Sequence, residues 1–87
     1  MSEESRCWLV ERDYDDKGLV TLTYATADGE HVYRRELAAS AATNSKVTAA
    51  KSIEKDQLES VADEETRDRY ATEVERTSER YEPDEPI

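Results

Sequence analysis

Three stretches of the first half of the chain read as strands, and in the second of them apolar and polar positions alternate at period two. Cys7–Tyr14 is the first, led by Trp8-Leu9-Val10. Leu19–Thr26 follows, with Val20, Leu22 and Tyr24 in step, and His31–Leu37 is the third. Runs of this length and composition, bounded by turn residues, predict strands. Asp16-Lys17-Gly18 separates the first pair and suits a three-residue hairpin loop with glycine in the left-handed last position. Asp28-Gly29 separates the second pair and predicts a type I′ turn.

The two turns set a register. The first places Tyr14 opposite Val20, Arg12 opposite Leu22, Val10 opposite Tyr24 and Trp8 opposite Thr26. The second places Thr26 opposite His31, Tyr24 opposite Tyr33, Leu22 opposite Arg35 and Val20 opposite Leu37. Both agree on the faces of the middle strand. One face then collects Trp8, Val10, Tyr14, Val20, Leu22, Tyr24, Tyr33 and Leu37, the expected core. The other collects Glu11, Asp13, Thr21, Thr23, Arg34 and Glu36, the expected wet face.

Beyond Leu37 the period changes. Ala38–Thr43 suits a short helix ending near Asn44. Val47, Ala49 and Ile53 alternate as a fourth short strand over 47–53 would, although Ala49, Ala50 and Lys51 also tolerate helix. From Asp63 the pattern is helical. Asp63 is an N-cap, with Glu64 and Glu65 at the positive end of the dipole. Asp63–Arg67 and Glu65–Arg69 are spaced as i,i+4 pairs. Tyr70, Val74, Thr77 and Tyr81 form one apolar stripe, and Pro83 and Pro86 end the helix. The expected fold is α+β: a three-stranded antiparallel β-meander packed against a C-terminal helix. Residues 6–81 make the domain, flanked by disordered acidic ends at 1–5 and 82–87.

Composition changes this picture in one respect. The chain of 87 residues carries 22 acidic and 12 basic side chains, net −10. Aliphatic residues are scarce and Phe is absent. Generic priors would read such a chain as disordered; the regular patterning of 6–81 argues otherwise. Only Lys17, Lys46, Lys51 and Lys55 are lysines, and Ala and Thr stand where aliphatics are usual. In this the chain resembles the short haloarchaeal proteins of unknown function. The resemblance implies a salt-rich cytoplasm, where a Debye length of about 3 Å at 1 M screens carboxylate repulsion. Residues 56–87 hold 12 acidic and 4 basic residues, whereas 1–55 hold 10 and 8, so the acidity sits in the C-terminal half.

The chemistry on offer is sparse. Met1–Ser5 is acidic, unlike a signal peptide, and no apolar run reaches the roughly 18 residues of a membrane span. One cysteine excludes an internal disulfide and a CxxC pair. Asp13–Gly18 superficially opens a calcium loop, but Lys17 and Tyr24 occupy ligand positions. Cys7 falls on the wet face and His31 on the other, which separates a nucleophile from its base. No catalytic residue, metal site, cofactor or small-molecule substrate is expected.

The informative oddity is Arg12 and Arg35, which flank Leu22 on the expected core face. Buried unpaired charge is costly, so their heads must reach carboxylates of 54–82 or solvent. In the second case Trp8, Arg12, Tyr24, His31, Tyr33 and Arg35 form an open aromatic–cationic face. Tyr, Trp and Arg are the usual hot-spot residues of a protein interface. The leading expectation is a non-enzymatic interaction module, a homodimer or the binder of a small protein partner. The alternative is a nucleic-acid-binding accessory protein that stacks bases on the same face.

Overall fold

The computed structural model describes residues 3–38 and 47–86. Its elements are β1 (Glu4–Tyr14), β2 (Leu19–Ala25), β3 (His31–Ala38), β4 (Ala50–Glu54), a 3-10 turn (Lys55–Gln57), β5 (Glu59–Ser60) and helix α1 (Glu64–Arg80). The strands form one antiparallel sheet in the order β4-β1-β2-β3-β5. The expected meander is its centre, and two short strands extend it on either side. The expected strand at 47–53 begins later, at Ala50. The expected helix at 38–43 lies outside the described residues except for Ala38, which ends β3.

Both hairpin registers hold next to their turns: Tyr14 faces Val20, Arg12 faces Leu22, and Tyr24 faces Tyr33. Gly18 and Gly29 are the positive-φ residues among those described, at 82° and 71°. In the first loop the Asp15 carboxylate accepts from the amides of Lys17 and Leu19 at 2.9 and 2.8 Å. The second turn is not type I′, since that type needs φ above zero at both centre residues and Asp28 does not have it. Instead Gly29 donates to the Thr26 carbonyl, and Thr26 donates to the His31 carbonyl. A four-residue loop closed by Thr26 and His31 keeps the same register as a two-residue loop one step further out.

The first strand departs from the expected faces. Leu9 faces Tyr24 and Glu11 faces Thr23, so Val10 is the extra residue of a β-bulge. A bulge of one residue shifts everything before it to the other face. Cys7 and Leu9 therefore take the core places expected for Trp8 and Val10. Cys7, Leu9, Val20, Leu22, Tyr24 and Ile53 form one core. Trp8 and Val10 pack on the opposite face with Ala25, Val32, Tyr70 and Val74. That face, expected wet, is the one α1 covers. Tyr14, expected in the core, is 67% exposed, because it stands at the far end of β1 beside the loop.

The first core needs no helix over it if the sheet curls, and the chain connection requires curling. Four residues, Lys55–Leu58, join the outer strands β4 and β5. With a 3-10 rise of about 2 Å, they reach on the order of 13 Å. The outer strands of a flat five-stranded sheet would stand about 19 Å apart. The electrostatics agree: Arg35 on β3 lowers the pKa of Lys51 on β4, with β1 and β2 between them in the sheet. The sheet is thus concave on the Leu22 side and carries α1 on its convex side.

The helix is locked at the bulge. The Asp63 carboxylate caps α1, accepting from the Thr66 amide and hydroxyl at 3.0 and 2.7 Å. Tyr70, Val74 and Thr77 are its buried residues, as the stripe predicts. Thr77 donates its hydroxyl to the Leu9 carbonyl at 3.1 Å, where the ladder is interrupted. The Tyr70 hydroxyl donates to Glu11 at 3.3 Å. Arg69 turns to Glu11 at 3.8 Å and lies over the Tyr70 ring.

Described residues of both flanking stretches bond to the sheet. Glu4 and Ser5 pair with Glu54 and Ile53. After α1 the chain folds back: the Ala50 amide donates to Pro83 and the Ala49 amide to Glu85, and Thr48 bridges Pro86. The tail's carbonyls thus occupy amides at the head of β4. Nor is β1 an edge strand, since β4 takes its outer side from Glu4 to Trp8.

Candidate interaction face

The concave face gathers most of the candidate residues. Arg12, Leu22 and Arg35 form one row across β1, β2 and β3. Leu22 is buried, while Arg12 and Arg35 are exposed. In the neighbouring row Tyr24 and Tyr33 stand with ring centroids 6.4 Å apart, tilted by 37°. Burial raises the pKa of the Tyr24 hydroxyl, and the Arg35 and Arg12 guanidiniums pull it back. Both arginines therefore lie within electrostatic reach of this hydroxyl. Tyr24 is only 3% exposed, so its faces are not open for stacking.

Trp8 does not belong to this face. The bulge at Val10 sends it to the convex side, where it packs beside the helix cluster. His31 sits on the concave side at its other end. It lines an open cleft of about 560 Å³ with Arg6, Asp28, Lys55 and Leu58, beneath the crossover from β4 to β5. Lys55 pairs with Glu3 at 3.1 Å there. Asp28 is held below the usual carboxylate range by the Thr26 hydroxyl, at 2.6 Å, and by the Glu30 amide, at 2.9 Å.

Cys7 was expected on the wet face, away from His31. The bulge moves it to the concave side and buries it completely. Its sulfur donates to the Ser5 carbonyl at 3.7 Å, and burial pushes the thiol up to about 11. A thiol held protonated at neutral pH, with a carbonyl as its partner, is a packing group. Among the described residues no three His, Cys, Asp or Glu side chains group as a metal site. Among them, too, no helix is long and apolar enough to cross a membrane.

One participant was missed by sequence reasoning. Lys51 lies opposite Cys7 in the β1–β4 ladder and so shares the concave face with Arg12 and Arg35. It is half-buried, and burial first, then Arg35, lower its pKa. A signal was present: residues 37–53 contain no Asp or Glu, in a chain with 22 of them. The predicted carboxylate partners from 54–82 do not reach Arg35, which makes no ion pair with the described residues.

No curated protein and no solved structure shows significant similarity to the chain. A family model matches it from end to end, residues 1–87, and the chain belongs to that family of unknown function, DUF7967.

Proposed function

We propose that this chain is a small non-enzymatic protein-interaction module that works as a homodimer in a salt-rich cytoplasm, docking through the arginine end of its concave face. The observation that carries this reading is the exposed pair Arg12 and Arg35 on either side of buried Leu22. Tyr14 stands two residues along the same face of β1, 67% exposed. Tyr and Arg around an apolar centre make the usual composition of an interface hot spot. A second copy offers the complementary charge, since residues 56–87 carry 12 acids against 4 bases. In molar salt only contact pairs survive screening, and arginine forms them bidentately with carboxylates.

Sedimentation of the parent, Arg12→Ala and Arg35→Ala in molar KCl, with a thermal melt of each, tests the proposal. The expected result is a dimeric parent and monomeric variants, with association weakened by about 2 kcal/mol per arginine and little change in melting. A monomeric parent, or variants that lose stability while assembly is unchanged, would reject it. The same samples titrated with labelled single-stranded DNA and RNA give the competing outcome. That reading has lost two stacking rings, Trp8 to the convex side and Tyr24 to burial.

A further inference from the structure

Arg12, Arg35 and Lys51 come from three different strands, β1, β3 and β4, and point to one side of a curled sheet. Arg12 and Arg35 are two strand spacings apart, about 10 Å between Cα atoms if the sheet were flat, and closer on a concave face. Both act on the Tyr24 hydroxyl between them, and Arg35 acts on Lys51 across the concavity. Like charges drawn together cost free energy unless something neutralises them. The protein could have done so cheaply, having 22 carboxylates. Instead the segment that supplies Lys51 is the acid-free stretch 37–53, and neither Arg35 nor Lys51 makes an ion pair with the described residues. Two other basic residues contrast with this, although Arg6 on β1 makes no ion pair with the described residues either. Arg34, next to Arg35 but on the other face, meets Glu59 at 3.4 Å, and Lys55 meets Glu3.

From the placing of these three cations on one concave face, with Arg12 and Arg35 flanking buried Leu22, we infer that Arg12, Arg35 and Lys51 form a binding site for a multiply charged oxyanion of the phosphate class. The two guanidiniums offer planar forks that suit its oxygens, and the Lys51 ammonium adds a point charge. Half-burial of Lys51 lowers the local dielectric, so a doubly charged oxyanion is held more strongly than the chloride around it. The inference adds Lys51 to the arginine face and gives that face a ligand other than the carboxylates of a second copy; it does not depend on the dimer.

The test uses the full chain in molar KCl with inorganic phosphate as the probe, read by thermal melting and by phosphorus-31 line broadening. Phosphate at ten times its apparent Kd should raise Tm by about 5 °C or more, while an equal ionic strength of added KCl should not. Arg35→Gln and Lys51→Gln should each reduce both signals at least tenfold in apparent affinity. Lys51→Met, which keeps the buried stem, repeats the comparison should the glutamine variant unfold. Arg34→Gln removes the same charge from the opposite face and should leave both signals intact. No response in the parent overturns the inference. So does an equal response in the Arg35 and Lys51 variants, or an equal loss in Arg34→Gln. Sedimentation of the same samples keeps the two readings apart: phosphate binding by a monomeric parent rejects the dimer alone, and a dimer that ignores phosphate rejects the anion site alone.

Discussion

Two glycines with the same backbone conformation have unequal duties. Gly18 has φ of 82° and open space where a Cβ would stand. Gly29 has φ of 71°, but a Cβ there would overlap the Arg67 carbonyl and crowd the Ala71 amide of the helix. The first needs glycine for conformation only, and the second for conformation and for the close approach of hairpin to helix. Gly18→Ala should therefore cost about 1 kcal/mol, and Gly29→Ala about 3 kcal/mol or more, in denaturant melts at constant salt. Equal costs would mean that the hairpin does not seat on the helix. The places of both turns were legible from the residues around these glycines, the type of the second was not, and nor was the helix contact, because glycine has no side chain to betray a neighbour. Cys7 makes the second case at this scale. Its thiol is raised to about 11 by burial, above an unfolded value near 9. The unfolded chain thus loses this proton first. The stabilising effect of the neutral thiol is complete below about pH 9 and is lost as pH rises through about 11. The parent should lose on the order of 2 kcal/mol across that window. Cys7→Ala should start less stable, for want of the buried sulfur, and show a flatter alkaline slope. An unchanged slope would place the titration elsewhere, with Tyr24, also raised by burial, the next group to examine.

Among the elements, β1 teaches the most. Its run Trp8-Leu9-Val10 is apolar at both parities, so the alternation that orders β2 and β3 fails to choose a face there. Turn chemistry propagates register outward from the loop, and it did so correctly back to Glu11. It has no means to detect a bulge, and Val10 is one. Everything before it was assigned to the wrong face for that single reason: Trp8 left the candidate site, and Cys7 and Leu9 entered the core. The helix was legible throughout, since its cap, its stripe and its stop are all local in sequence. Which sheet face it covers was not. Thr77 settles that contact by donating to the Leu9 carbonyl beside the bulge. Thr77→Val keeps the shape and leaves a buried carbonyl without its donor, so it should destabilise by about 1–3 kcal/mol. Thr72→Val, on the exposed side of the same helix, is the control and should change stability by less than about 0.5 kcal/mol. If the two behave alike in equilibrium unfolding, the bulge is not where the helix is anchored.

At the scale of the whole molecule, charge and shape have to be weighed together. The two cores are small: the largest fully buried side chains are Leu22, Val20, Val32 and Cys7. Around them the net charge is −10, with most of the excess in residues 56–87. The acids of α1 lie on its outer side, with Glu64, Glu65, Asp68, Glu75 and Glu79 all exposed. In each ion pair among the described residues the basic member is at least half exposed, and such pairs contribute little. Short-range pairing therefore does not offset the repulsion, and a small core leaves little reserve against it. Screening by the solvent can. At about 0.1 M salt the Debye length is about 10 Å, comparable to the spacing between neighbouring turns of carboxylates; at 1 M it is about 3 Å. The expected outcome is that Tm, followed by circular dichroism, rises steeply between dilute buffer and molar KCl and that the protein is largely unfolded at the dilute end. KCl and NaCl should act alike if screening is the cause, and sucrose at equal osmolality should not substitute for them. A neutralised variant separates charge from a general salt effect on apolar burial. Glu65→Gln with Asp68→Asn and Glu75→Gln touches only exposed positions on α1, and it should raise Tm in dilute buffer while changing it little in molar salt. Equal Tm for the parent at both salt levels would remove the salt-adapted reading, and the acidic composition would then need another cause.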